Sequence, residues 1–183
     1  MAMVDLLTRD QAPLTVQGFF PEEGTAGPLT ASMAHVPELL PVSMPFIGTV
    51  LGPSSVDFRT KEIVILRTSG NLACAYCVGT HTVVASSAGL DRSALRFLRT
   101  EDEQCPFDGR EALLVRWVDA VALGRGPIDA ALNEAVCAAF TEAERVEITL
   151  LIGATMMLNR YATALDLPVS DDHRAWLTAE GWQ

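Results

Sequence analysis

The sequence has 183 residues, of which 49% are hydrophobic and 20% are charged, and its formal net charge at pH 7 is −10. This length favours one domain with a sizeable core, and the absence of any basic cluster argues against nucleic acid or an anionic membrane surface as a partner. No apolar run reaches the roughly 18 residues of a membrane span, and the N-terminus lacks the features of a secretory signal, so we expect a cytoplasmic protein without a membrane partner.

The first 29 residues are interrupted by prolines and glycines, and no helical period survives these breaks. We therefore predict an N-terminal arm over residues 1–29 that lies either disordered or across a neighbouring subunit. The remainder, residues 30–183, is predicted to be a single all-helical domain.

Helical signals follow one another along the rest of the chain. Ser43 stands where a helix N-cap is expected, a further helix is predicted to begin near Asp57, and Gly89 stands where a helix ends. No segment shows the alternating pattern of a strand, so the predicted fold class is all-α. The predicted helices cover residues 43–51, 57–69, 74–88, 91–99, 108–123, 129–140, 141–165 and 171–179.

The longest predicted helix begins with Thr141 and Glu144, which have the spacing of a capping box. Its middle, residues 148–158, is apolar on nearly every side. A helix with this pattern is expected to be buried all round, either at the centre of the domain or in a subunit interface.

The pair Cys74 and Cys77, followed by His81, is the pattern with the clearest chemistry. Residues three and four apart are neighbours on a helix, so all three side chains are predicted to lie on one face at a helix start. A thiol with a pKa of about 8.5 is mostly protonated at neutral pH, and both an imidazole and the helix N-terminus favour the reactive thiolate. This spacing therefore predicts a redox site with its own base.

Glu62 lies on the preceding predicted helix, twelve residues before Cys74. A carboxylate there can accept a hydrogen bond from His81, fix the tautomer of the ring and stabilise the imidazolium. We accordingly take Glu62, Cys74, Cys77 and His81 as the candidate catalytic residues. Sequence alone does not give the distance between Glu62 and His81.

Other interpretations of these residues carry less weight. Zinc would need a fourth ligand beside the two cysteines and His81, and none is evident, so we expect no metal and no cofactor. A thioredoxin-type motif would follow a strand, which is missing. Tyr76 is predicted to face away from the cysteines as a packing residue, and Cys105 and Cys137 are predicted to be small, buried packing residues.

The run from Lys61 to Ser69 and the run from Cys74 to Thr82 resemble the core motif of the alkylhydroperoxidase AhpD and carboxymuconolactone decarboxylase superfamily. The spacing of the glutamate, the two cysteines and the histidine matches without a gap, and residues 158–168 resemble the closing helix of the family. Ala75 and Tyr76 depart from the pattern, because the best-known peroxidase of the family has a histidine between its cysteines.

This resemblance implies an AhpD-like multi-helix domain that reduces alkyl hydroperoxides. The attacking sulfur would be Cys77 and the resolving sulfur Cys74, with His81 as base and Glu62 as its orienter. The family also implies a dihydrolipoamide-type or thioredoxin-like thiol reductant as a partner, and a homo-oligomer such as a trimer, hexamer or dimer.

Two alternatives stay open at this point. The first is a non-redox lyase of the decarboxylase branch, in which Glu62 and His81 transfer protons and the cysteines are incidental. The second is a redox-sensing protein, in which the disulfide forms but turns over too slowly for catalysis. The cysteine pair favours the peroxidase over the lyase.

Overall fold

The protein is described by a computed structural model over residues 2–52 and 54–182; Met1, Pro53 and Gln183 of the predicted segments lie outside the described residues. Among the described residues only helices and connecting loops are found, which confirms the predicted all-α class. A short 3₁₀ helix, Leu14–Phe19, comes first. The α-helices that follow are α1 (Pro28–Met33), α2 (Leu40–Leu51), α3 (Phe58–Asn71), α4 (Ala75–Ser87), α5 (Arg92–Leu98), α6 (Gly109–Leu123), α7 (Ala130–Ala139), α8 (Glu142–Ala164) and α9 (Asp171–Ala179).

Helix α3 lies at the centre of the fold, where it packs against α4, α5, α6 and α8. Asp57 caps its N-terminus, because the side chain accepts a hydrogen bond from the N–H of Thr60 at 3.0 Å. Near its C-terminal end, Gly70 passes so close to α5 that a Cβ atom there would lie 2.4 Å from the carbonyl oxygen of Leu98. The absence of a side chain at Gly70 thus lets α5 approach the central helix.

Two helices begin where the sequence analysis did not place a start. Helix α1 was not predicted, and α2 begins at Leu40 rather than at Ser43. Each has a proline in its first turn, Pro28 and Pro41 respectively, where the missing N–H of proline costs no helical hydrogen bond. Dense prolines therefore mark helix starts here rather than an absence of helix.

Helix α8 begins at the predicted capping box, in which Thr141 and Glu144 exchange hydrogen bonds. Within the chain its middle is not buried on every side, because Leu150 and Met157 are 53% and 49% exposed, so the alternative of a central helix is wrong and that of a subunit interface stays a prediction. Only the opposite face packs against α3 and α6. Neither α8 nor any other helix in the described ranges has the length and apolar character of a membrane span.

The N-terminal segment packs along the domain. The N–H of Met3 donates to the carbonyl oxygen of Leu165 at 2.9 Å, just beyond α8. Val16 and Phe20 are buried in a small apolar cluster that also includes Leu40. The short helices between the prolines therefore bury apolar side chains of the N-terminal segment against other residues of the same chain.

Candidate active site

Cys74 occupies the tight turn that joins α3 to α4. Ala73 has a left-handed backbone (φ 51°), and the N–H of Cys74 donates back to the carbonyl oxygen of Ser69 at 3.1 Å, which closes α3. The Cys74 sulfur then caps α4, because it accepts the N–H of Cys77 at 3.4 Å. One residue therefore ends the first helix and begins the second, which holds its sulfur in place relative to both.

The two sulfurs differ in charge preference because they share a hydrogen bond. The Cys77 thiol donates to the Cys74 sulfur, and this bond, helped by the N–H of Cys77 and the side chain of Thr163, lowers the pKa of Cys74 to about 6 despite burial. The same bond and burial raise the pKa of Cys77. At neutral pH the negative charge of the pair resides on Cys74.

The two sulfurs also differ in accessibility. Cys74 is fully buried, in a cluster with Ala162 and Leu167 that the N-terminal residues Ala2 and Leu6 cover. Cys77 is 5% exposed and lines a cavity. A substrate in this cavity therefore meets the sulfur of Cys77.

Glu62 and His81 are brought together by the packing of α3 against α4. Nδ1 of His81 lies 3.0 Å from Oε2 of Glu62, and Glu62 is buried whereas the His81 side chain is partly exposed. A carboxylate accepts hydrogen bonds, so the geometry places the proton on Nδ1 and leaves Nε2 as the basic nitrogen. In the part of the chain that the structure describes, Nε2 has no hydrogen-bond partner.

The cavity beside these residues has a volume of about 190 Å³. Cys77 and His81 both line it, so a nucleophile and a base face the same space. Its remaining wall is formed by five apolar residues from α1, α2, α3 and α8 and by five polar ones. The apolar residues are Leu29, Ile47, Leu51, Ile65 and Leu158, and the polar residues are Ser69, Tyr76, Thr80, Thr155 and Asn159.

The prediction that Tyr76 faces away from the site is wrong, because its side chain lines the cavity. The backbone of Leu29 and the side chain of Thr80 hydrogen-bond it. Burial raises the pKa of Tyr76 to about 12. The phenol therefore stays protonated at neutral pH and is a hydrogen-bond donor beside the cysteines.

Thr155 and Asn159 were missed in the sequence analysis. They lie one turn apart on α8 and reach the cavity because α8 packs against α3. The available signal was the presence of two polar residues, four apart, on the buried face of an otherwise apolar stretch. Such residues are expected to have a hydrogen-bonding role.

The other two cysteines lie away from this cavity. Cys105 and Cys137 are both exposed, so the prediction that they are buried packing residues is wrong. Cys137 lies on the outer side of α7, whose buried residues are Leu132 and Val136. The apolar residues next to Cys137 in the sequence therefore do not show that Cys137 lies on the packed side of α7.

Solved structures with a similar fold include proteins of several descriptions. A peroxidase-related protein from Ralstonia eutropha JMP134, described as an alkylhydroperoxidase AhpD core, is 15% identical with a TM-score of 0.83, over 94% of each chain. A protein of unknown function from Agrobacterium tumefaciens, named as a candidate antioxidant defence protein AhpD, is 27% identical with a TM-score of 0.68, over 76% of this chain and 97% of that one.

A third similar structure is a cysteine-to-alanine variant of the debrominase Bmp8 in complex with 2,3,4-tribromopyrrole. It is 17% identical with a TM-score of 0.76, over 98% of this chain and 99% of that chain. A comparison with curated protein sequences found no match.

The sequence model of the carboxymuconolactone decarboxylase family matches residues 37–120, a segment that contains Glu62, Cys74, Cys77 and His81. This segment includes α3 and α4, whose packing forms the glutamate–histidine pair and the cysteine turn. The match and the shared fold support the assignment of the chain to the alkylhydroperoxidase AhpD and carboxymuconolactone decarboxylase superfamily.

Proposed function

We propose that the protein is a thiol-dependent peroxidase that reduces small hydroperoxides through Cys74 and Cys77. The observation that carries this proposal is that Cys77 and His81 line one cavity while Glu62 binds Nδ1 of His81 at 3.0 Å. A nucleophile, a base and an orienting group are thereby provided in the order that nucleophilic chemistry requires.

In the first step the Cys77 thiol turns from the Cys74 sulfur toward His81, its sulfur attacks the terminal oxygen of the hydroperoxide, and the O–O bond breaks. The thiol proton passes through Nε2 of His81 to the departing alkoxide, so the products are an alcohol and a sulfenic acid on Cys77. Glu62 stabilises the transient imidazolium. Cys77 is oxidised by two electrons and the peroxide is reduced by two.

In the second step the Cys74 thiolate attacks the sulfenic sulfur, a disulfide forms, and hydroxide leaves and takes a proton from solvent to become water. The lowered pKa of Cys74 suits this role, because the resolving sulfur is already ionised at neutral pH. A dithiol reductant of the dihydrolipoamide or thioredoxin type then returns both cysteines to thiols and is itself oxidised to a disulfide.

The size of the cavity supports a small substrate. Its volume of about 190 Å³ slightly exceeds that of an engineered cavity of about 150 Å³ that binds benzene. The debrominase of similar fold binds tribromopyrrole, which is also a single ring. A hydroperoxide with one ring or a short branched chain therefore fits the space better than a long-chain lipid.

The test is a titration of free thiols before and after one equivalent of an alkyl hydroperoxide. The wild-type protein is expected to lose two thiols, whereas Cys77→Ser consumes no appreciable peroxide. Cys74→Ser is expected to react once and to accumulate a sulfenic acid on Cys77 that dimedone traps. Trapping on Cys74 in Cys77→Ser, with no reaction in Cys74→Ser, would exchange the two roles.

A second candidate is a lyase in which Glu62 and His81 alone transfer protons. The hydrogen bond between them favours it, since that pair needs no sulfur. The two candidates differ at Cys77: a lyase acting on a lactone acid retains its turnover in Cys77→Ser, whereas the peroxidase loses it.

We also propose that the protein is a homo-oligomer. The exposed stripe on α8, formed by Val146, Leu150 and Met157, adjoins α2, which exposes Val42 and Phe46. Contiguous apolar patches of this kind mark protein interfaces. Light scattering is expected to show a species larger than the 19.7 kDa chain, and Leu150→Glu should shift it toward the monomer. A wild-type monomer at micromolar concentration would contradict the proposal.

A further inference from the structure

Two unpartnered polar atoms belong to residues that line the cavity. Thr155 and Asn159 are 3% and 1% exposed. Within the described ranges of the chain, Oγ1 of Thr155 and Oδ1 of Asn159 are buried and have no hydrogen-bond partner. Buried polar atoms are nearly always paired, so two such atoms one turn apart require an explanation.

The orientation of the Asn159 amide is fixed by its nitrogen. Nδ2 donates to the carbonyl oxygen of Thr155 at 2.6 Å and to Oγ of Ser69 at 3.3 Å. The carbonyl oxygen of Thr155 can only accept, so that bond needs an N–H of the amide, and the unpartnered end is the carbonyl oxygen of Asn159. Oδ1 can only accept, and its missing partner is therefore an O–H or N–H donor.

The hydroxyl of Thr155 is more adaptable, because it both donates and accepts. Its own helix does not use it: Oγ1 makes no bond to the preceding turn, although Thr82 on α4 makes such a bond to the carbonyl oxygen of Val78 at 2.6 Å. Thr155 is thus free to bind a group that enters the cavity.

The rest of the cavity wall restricts what that group is attached to. Its apolar residues come from four helices, and its volume of about 190 Å³ admits little more than one ring. Apolar walls with a few convergent polar groups are typical of small-molecule sites, where the polar groups fix orientation.

We propose that Thr155 and Asn159 are the specificity-determining residues of the cavity and bind the O–H or N–H group of a compact substrate whose remaining surface is apolar. The inference rests on the proposed function only in taking this cavity as the place where the substrate meets Cys77. Small substrates that carry such a donor are therefore preferred over isosteric ones that lack it.

Phenol, anisole and toluene test the requirement for a donor without any peroxide chemistry. All three fill one ring of space, but only phenol donates a hydrogen bond, and toluene is the most hydrophobic. Binding to the reduced full-length protein is measured by calorimetry, and entry into the cavity by protection of Cys77 from iodoacetamide. Phenol is expected to bind about tenfold more tightly than toluene or anisole, because unpaired buried acceptors penalise the other two.

Thr155→Val is the informative variant, because it removes a hydroxyl that has no partner in the protein and keeps the shape of the side chain. It is expected to weaken phenol binding by about 3- to 10-fold, because one hydrogen bond to the ligand is lost, and to leave toluene binding unchanged. Asn159→Leu should reverse the preference toward toluene, provided that thermal unfolding shows a folded variant.

Thr68→Val is a matched control. Thr68 is fully buried on α3 and its Oγ1 is also unpartnered among the described residues, but Thr68 does not line the cavity. This substitution makes the same chemical change at the same burial and should leave the binding of all three compounds unchanged.

The inference is overturned if toluene binds as tightly as phenol, if none of the three protects Cys77, or if Thr155→Val and Thr68→Val affect phenol equally. Because the assay contains no hydroperoxide, it gives the same answer whether or not the protein reduces peroxides. Failure of the peroxidase proposal is seen separately, in the thiol titration.

Discussion

Lys61 and Glu62 are neighbours on α3, and both are charged residues with almost no exposed surface. Nζ of Lys61 is bound by the carbonyl oxygens of Val50 and Gly52 and by the carboxylate of Glu147, at 2.8 Å from Val50 and 2.6 Å from Glu147. All three hydrogens of its ammonium group thus have acceptors. This charge is fully satisfied by the protein.

Glu62 differs because the hydrogen bonds that begin at its carboxylate lead to the cavity. Its one described partner is His81, and Nε2 of that ring has no hydrogen-bond partner in the described residues. A buried charge with a structural role, such as Lys61, has all its hydrogen-bonding positions filled by the protein. A buried charge with a role in chemistry, such as Glu62, is linked to a group that has an unfilled hydrogen-bonding position at a cavity.

The largest expected effect belongs to Glu62→Gln. This change keeps the shape of the side chain but removes the charge that stabilises the imidazolium, so alkylation of Cys77 should slow by about 10- to 10⁴-fold. Stopped-flow alkylation with iodoacetamide measures the rate, and circular dichroism verifies the fold. Unchanged alkylation kinetics in both Glu62→Gln and His81→Ala would remove the pair from the mechanism.

Lys61→Met should lower the stability of the fold and leave the reactivity of Cys77 unchanged. The change leaves the Glu147 carboxylate without its cation, and breaking a buried pair typically costs about 3–5 kcal/mol. Urea denaturation is expected to show this loss, whereas the alkylation rate of Cys77 in the folded fraction stays within about twofold. Wild-type stability with a slower reaction would reverse the distinction between the two neighbours.

The third expected effect concerns the charge on Cys74, whose pKa falls from 9.0 to about 6. Between these pH values the folded protein has released a proton that the unfolded chain retains, so the free energy of unfolding should rise with pH by up to about 1.4 kcal/mol per pH unit. This contribution is complete near pH 9 and is lost as the pH falls to about 6.

Denaturation of the reduced protein at several pH values, compared with Cys74→Ser, measures that slope. Above pH 9 the raised pKa of Cys77 acts in the opposite direction, because the unfolded chain then loses a second proton that the folded protein keeps. Identical pH profiles of the two proteins would show that Cys74 does not carry the charge.

The smallest effect should come from Ser55→Ala. Burial would raise the pKa of Glu147, but hydrogen bonds from Lys61, Ser54 and Ser55 outweigh it and lower the pKa to about 2. Losing one of three donors should cost at most about 1 kcal/mol, since the carboxylate keeps the other two. Urea denaturation checks this, and a loss as large as that of Lys61→Met would mean that the serine rather than the lysine holds the carboxylate.

Local signals were sufficient to predict much of the fold. A helix begins at Asp57 and another at the Thr141 capping box, as predicted, and the spacing of Cys74, Cys77 and His81 identified the helix start that carries the sulfurs. These features depend on residues three or four apart, which sequence shows directly. Prolines misled the prediction near α1 and α2, because a proline in a first turn and a proline that breaks a helix look alike.

Features that depend on how helices pack could not be predicted in the same way. The outer face of α8 also carries apolar residues, so periodicity did not reveal that Leu150 is exposed. Asn159 reaches the cavity only because α8 crosses α3, far away in sequence. The contact between Glu62 and His81 likewise requires a particular packing of two helices that spacing permits but does not impose.

Ala2 and Leu6 pack against the buried cluster that contains Cys74, and the burial of this sulfur determines how a disulfide in this turn would be reopened. A reductant can approach only the sulfur of Cys77, because Cys74 has no exposed surface. Thiol–disulfide exchange is faster when the departing sulfur has a low pKa, and the N–H of Cys77 and the side chain of Thr163, which help to lower the pKa of Cys74 in the reduced protein, remain to stabilise the departing Cys74 thiolate. The geometry therefore directs the incoming thiol to one sulfur and makes the other a good leaving group, so the bond is built to be short-lived in a reducing environment.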